Sequence, residues 1–190
     1  AHAYSVCTPT RASLMTGQSA ERQGITTWTH PQNISDTGSY QKGGLISARW
    51  QMQGVDPKVP SLPKLLAASG YRTIHCGKAH FGPNLGPSGD PCAIGFQINI
   101  AGHGGGGPGS YWGEKNFSAK WRKGGKVWDV PGLKKYHGTP TYLTEALTLE
   151  LKEELDEAYQ RFMESGWYVL GNETSAFEEE YGAYCEAAHC

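Results

Sequence analysis

The 190-residue chain has no apolar run long enough to cross a bilayer. It has no excess of one charge either: 17 basic against 18 acidic residues leave a net charge of −1. That balance gives no electrostatic ground for binding nucleic acid or an anionic membrane surface. Its five cysteines, Cys7, Cys76, Cys92, Cys185 and Cys190, include no Cys-x-x-Cys pair, so neither a zinc site nor a dithiol redox motif is expected. The glycine run "GHGGGGPGS", Gly102 to Ser110, has no Lys-Ser/Thr after it and is therefore not a phosphate-binding P-loop. It reads as a flexible turn, with a close backbone approach to a ligand as the alternative. No signal peptide is visible and the chain opens on Ala1, so a fragment or processed product is expected, with no assignable compartment.

What is present is unevenly distributed. Residues 150–190 carry eleven acidic and two basic groups, whereas the other 149 residues carry seven and fifteen. All 11 prolines and 23 of the 26 glycines precede residue 150. Such a shift marks a boundary, with one domain over 1–149 and an acidic helical segment over 150–190. In the first part, "TRASLMTG" suits a helix with Pro9 in its first turn and Gly17 at its end. "SLPKLLAASG" suits another, capped by Ser61 and closed by Gly70, and "YRTIHCG" reads as a short buried strand. Helix, glycine, strand and loop in that order suggest an α/β protein. In the tail, Leu151, Leu155, Ala158, Tyr159 and Phe162 form one apolar stripe, expected to be core. Ser175 and Glu178 have capping-box spacing for a second helix.

The most informative stretch is "CTPTRASLMTG", Cys7 to Gly17. A cysteine beside a helix N-terminus faces unpaired N–H groups that favour negative charge. Arg11, four residues on, adds a fixed cation on the same side. Thr8 and Thr10 offer capping hydroxyls. The arrangement suits an oxyanion held beside a nucleophile. Tyrosine-phosphatase loops need Cys-x5-Arg, and Cys7 to Arg11 is Cys-x3-Arg, so that class is excluded.

The stretch resembles the sulfatase signature Cys-x-Pro-Ser/Thr-Arg, and "GYRTIHCGKAHFG", Gly70 to Gly82, resembles that family's Gly-Tyr-x-Thr…Gly-Lys-x-His segment. The likeness covers about residues 1–149 and implies a partial alkaline-phosphatase-like α/β sandwich, incomplete, followed by a mainly α-helical tail. It also implies a sulfuric ester hydrolase, with carbohydrate sulfates as substrates by analogy. A separate maturing enzyme would read Cys7, Pro9 and Arg11 and oxidise Cys7 to formylglycine. The aldehyde hydrate would then attack sulfur, and its second hydroxyl would expel sulfate. Calcium would polarise both partners, with Cys7, as formylglycine, among its ligands. Arg11 would orient the hydrate, and Lys78 and His80 would contact sulfate or the leaving oxygen. His103 and His137 are candidate substrate contacts, though surface loop residues are the plainer reading. The family's Asp-Asp, Ala-Pro-His and Asp-Asn motifs are not found, and Asp36, Asp56, Asp90 and Asp129 match none of them. The chain as given is therefore expected to be inactive.

Residues 150–190, with "GWYVLG" and "FEEEYGAYCEAAHC", resemble the N-terminus of DegT/DnrJ-type sugar-nucleotide aminotransferases, which use pyridoxal phosphate. Together the two resemblances imply a chimera of fragments. Two other readings stand beside it: a non-catalytic remnant that binds sulfate or a sulfated glycan, and a helical interaction segment supplied by the tail.

Overall fold

The computed structural model describes residues 3–32, 53–120, 125–165 and 172–184. Asp36, Cys185, Cys190 and the "GWYVLG" stretch lie outside the described residues. The chain divides into two compact units, Ala1–Thr148 and Leu149–Cys190.

In the first unit, helix α1 spans Cys7–Thr16. It ends where Gly17, at φ 67°, takes the left-handed conformation and its N–H donates to the Ser13 carbonyl. The short α2, Ala20–Gln23, starts at Ser19, whose side chain accepts from the Arg22 N–H. Helix α3, Leu62–Ala68, carries its proline in the first turn, and Gly70 follows at φ 85°. Ser61 stands at the N-cap position without capping; its Oγ donates instead to the Ile94 carbonyl. Strands β1, Ile74–Cys76, and β2, Ile98–Ile100, pair in parallel, with Ile74 opposite Ile98 and Cys76 opposite Ile100. The crossover between them contains a 3₁₀ turn at Pro91–Ile94, capped by the Asp90 carboxylate accepting from Cys92 N–H.

The core gathers on the inner side of α1 and around the loop after β1. Ala12, Ile25, Val55, Ala79, Phe81 and Ile94 are all buried, with Met15 and Phe96 packed against them. The Phe81 ring stacks on Phe96 at 6.4 Å and meets His75 edge-on at 5.6 Å.

The glycine run differs from the sequence reading. It is not a free turn but backbone laid against backbone. The Gly104 N–H donates to Asn84 Oδ1, and a Cβ at Gly104 would lie 2.4 Å from the Gly82 carbonyl. At Gly109 it would lie 2.5 Å from the Ala119 nitrogen. Glycine is required here because a second segment of chain occupies the side-chain space. A Gly104→Ala chain is expected to lose about 1–3 kcal/mol of stability, as overpacked positions do, and a chemical denaturation midpoint checks it.

Helix α4, Leu143–Ser165, begins in the first unit and runs on into the second. Helix α5, Asn172–Tyr184, begins three residues before the serine proposed to cap it, so Ser175 lies within the helix. Leu155, Tyr159, Phe162, Phe177 and Tyr181 are exposed rather than core, since so short a unit encloses little. Phe177 stacks on Tyr181, four residues on, at 5.5 Å. No helix among the described residues is long and apolar enough to cross a membrane.

Candidate active site

Helix α1 begins on Cys7 itself, after an extended Val6, so the half-buried cysteine is the first helical residue. Thr8 and Pro9 face the core, and Arg11 lies one turn on from Cys7. Neither threonine hydroxyl caps the helix. Thr10 Oγ1 accepts from the Tyr4 N–H, and Thr8 Oγ1 accepts from the Thr29 N–H at 3.1 Å. The arginine reaches across the fold: its Nη1 donates to the Lys78 carbonyl at 2.7 Å, spanning 67 positions of sequence. One side chain thereby joins the two motifs picked out in the sequence. Burial lowers the Arg11 pKa, and its interaction with Cys7 opposes that shift.

Lys78 and His80 follow β1 on a loop whose conformation separates them. Lys78 is exposed; His80 is 1% exposed, with φ 55° in the left-handed region. The His80 N–H donates to the His103 carbonyl at 3.1 Å, which ties this loop to the glycine run. Its Nε2 lies 2.7 Å from the Thr29 carbonyl, and its buried Nδ1 has no hydrogen-bond partner among the described residues. Gly106 leaves room for the ring, since a Cβ there would lie 2.8 Å from Cε1. Burial holds His80 at a pKa of about 4, with the Thr29 carbonyl opposing and the Lys78, Arg11 and His103 charges assisting.

A cavity of about 320 Å³ opens beside this loop. Lys78 and His103 supply its basic groups, Gly105 to Pro108 one wall, and Leu143 and Leu147 of α4 another. His103 is also lowered by burial, with Asp129 opposing. Its Nδ1 accepts from the Gly105 N–H. His137 lies elsewhere: it is exposed, follows a 3₁₀ turn and packs on Phe117 at 6.2 Å. Thr29 was not singled out in the sequence. A lone threonine in a loop carries no motif, and only the folded chain shows that it touches both Thr8 and His80.

A calcium ion takes six or more oxygen ligands. No group of three or more His, Cys, Asp or Glu side chains converges among the described residues. The aspartates serve backbone instead: Asp56 accepts from Lys58, Asp90 from Cys92 and Asp129 from Ala119. The described residues do not fit calcium. Cys7, Cys76 and Cys92 form no disulfide with one another, and burial raises the Cys92 pKa.

His80 makes folding acid-sensitive. Unfolded, it takes a proton near pH 6.5; folded, it refuses one until about pH 4. Below pH 6.5 the unfolded chain binds more protons, so stability is full above that value and falls as pH drops toward 4. The difference between those two values corresponds to on the order of 3 kcal/mol. An Asn side chain does not titrate and tolerates positive φ. His80→Asn is therefore expected to flatten the decline between pH 6.5 and 4, read from denaturation midpoints; an unchanged slope would refute it.

The Sulfatase family model matches residues 1–165. Among solved structures, the crystal structure of Ps i-CgsB matches with a TM-score of 0.55 and 26% identity, over 82% of this chain and 32% of that one. Short curated matches come from another family. The erythromycin biosynthesis sensory transduction protein EryC1 of Saccharopolyspora erythraea is 52% identical over 46 residues, 24% of this chain and 13% of that protein. The dTDP-3-amino-3,6-dideoxy-alpha-D-galactopyranose transaminase of Aneurinibacillus thermoaerophilus is 39% identical over 44 residues, 23% of this chain and 12% of that protein. The chain thus spans about an eighth of those curated relatives and a third of the solved structure.

Proposed function

The chain belongs to the sulfatase family and carries part of its alkaline-phosphatase-like α/β fold, and from that premise we propose that residues 1–149 hold the nucleophile and anion-holding half of a sulfuric ester hydrolase site. The observation that supports this reading is the Arg11–Lys78 hydrogen bond, which joins the two signature segments across 67 positions of sequence. Cys7 fits the modification the family implies, with Pro9 and Arg11 in the motif that a maturing enzyme reads. Formylglycine, once formed there, supplies a hydrated aldehyde as nucleophile toward sulfur. The chain's own residues do the rest. The backbone N–H groups opening α1 and the Arg11 guanidinium favour negative charge beside position 7. Lys78, exposed at the cavity, meets the sulfate, His80 stays buried in the loop as a neutral ring outside the cavity lining, and His103 lines the space for the sulfated partner, a carbohydrate sulfate by family analogy. His137 stands apart from that space and has no part in this reading.

Calcium does not fit the described residues. On this reading the chain by itself binds sulfate esters without turning them over. Residues 150–190 form a separate segment, resembling an aminotransferase N-terminus, joined to the sulfatase part.

Co-expression with a formylglycine-generating enzyme tests the proposal. Peptide mass spectrometry is expected to show the Cys7 thiol replaced by an aldehyde that reacts with an aminooxy probe, and a Cys7→Ala chain should give no labelling. An intact Cys7 thiol in co-expressed protein would sink the reading. Hydrolysis of a sulfate ester by the mature chain with added calcium would overturn the claim of binding without turnover.

A further inference from the structure

Thr8 fills the position of the opening motif that the family pattern leaves free, between Cys7 and Pro9. It is completely buried, and its Oγ1 accepts a hydrogen bond from the Thr29 N–H at 3.1 Å. Thr29 is also completely buried, and its carbonyl lies 2.7 Å from His80 Nε2. A carbonyl has no proton to give, so Nε2 must carry the ring hydrogen and Nδ1 the bare lone pair. A three-residue chain, hydroxyl to amide and carbonyl to imidazole, therefore connects the first turn of α1 to His80.

The alternatives open to the ring are closed by its surroundings. The His80 backbone is held in the left-handed region by its bond to the His103 carbonyl. Gly106 lies flush against Cε1 and Nδ1. Turning the ring over would set a carbon against the Thr29 carbonyl and leave a buried acceptor unpaired. The Thr29 carbonyl is thus the group that decides the tautomer, and Thr8 holds the same residue through its N–H, one peptide group back along the chain.

We propose that Thr8 is a positioning residue: acting through the backbone of Thr29, it fixes His80 as the Nε2–H tautomer, with Nδ1 as its proton-accepting atom. This inference rests on the reading of His80 as part of the sulfatase site. A ring so held accepts a hydrogen bond at Nδ1 and offers none there. Lys78, which is exposed, is then the member of the pair suited to an anionic oxygen, while the buried His80 holds the loop that presents it.

Nitrogen-15 NMR of histidine-labelled full chain reads the tautomer without any turnover, with His80→Asn identifying the signal. The wild-type ring is expected to show Nε2–H alone, with a slowly exchanging Thr29 amide. Thr8→Val keeps the shape but removes the acceptor. It should lose the single-tautomer signature and exchange the Thr29 amide about tenfold faster. Thr8→Ser restores the hydroxyl and should keep both wild-type features. A wild-type Nδ1–H ring, a folded Thr8→Val chain with unchanged tautomer, or a Thr8→Ser chain that loses it would each overturn the proposal. The wild-type and serine measurements decide the matter even where the valine chain does not fold. An intact tautomer beside a Cys7 that a maturing enzyme leaves untouched counts against the sulfatase reading alone.

Discussion

An Arg11→Leu chain is expected to bind inorganic sulfate about tenfold more weakly, a difference of about 1.4 kcal/mol, and to lose about 1.5–3 kcal/mol of folding stability. Both effects come from one side chain. The guanidinium donates to the Lys78 carbonyl at 2.7 Å while its charge acts on Cys7. Leucine fills similar space along the stem, so packing is largely preserved and the loss reports the polar contacts. The carbonyl left behind must find water or go unpaired, and the loop that presents Lys78 loses its tie to α1. Arg11→Lys should recover only part of the loss, because it keeps the charge but not the planar guanidinium whose Nη1 reaches the Lys78 carbonyl. Calorimetric sulfate binding and urea denaturation, run on both variants, check this. An Arg11→Leu midpoint equal to wild type would show that the bond contributes nothing.

Phe81→Ala is expected to cost about 3–5 kcal/mol, the range for deleting a buried phenylalanine. Phe81 is 1% exposed and packs on Phe96 and His75. Its backbone is engaged as well: the Phe81 carbonyl accepts from the Val55 N–H and from Ser88 Oγ. The position lies directly after His80, so a collapsed cavity would also displace the histidine. Small domains retain only about 5–15 kcal/mol in total, so this single change removes a large share. A guanidinium denaturation curve gives the figure, and a loss below about 1 kcal/mol would mean that the core does not close around this ring.

Elements whose signals are local were legible in the sequence. Pro9 in its first turn and Gly17 at its end mark α1, and the stretch "YRTIHCG" holds β1, because caps and φ preferences act within a few residues, though only His75 of that strand is buried. The two site segments were legible as motifs. What joins them was not. The Arg11–Lys78 bond closes over 67 positions, and Thr29 carries no pattern that sets it apart from any loop threonine. The threonine hydroxyls of the motif suggested caps, yet tertiary partners claimed them: Thr29 for Thr8, and Tyr4 for Thr10. The glycine run misled for a related reason. Local conformational freedom and close approach of a distant backbone produce the same composition, and only the chain packed against Gly104 and Gly109 distinguishes them. In the tail, amphipathic spacing suggested a core, but spacing names a face without supplying what covers it.

On the proposed reading, the Arg11–Lys78 bond also bears on the order of events, because a maturing enzyme that recognises Cys7, Pro9 and Arg11 would have to reach that stretch. In the folded chain Pro9 is buried, Cys7 is wound into a helical turn, and the Arg11 fork is occupied by a carbonyl that arrives 67 residues later in synthesis. On that reading the same arginine would be first a label and afterwards a clasp, and conversion of Cys7 would have a deadline, the docking of the strand that precedes Lys78.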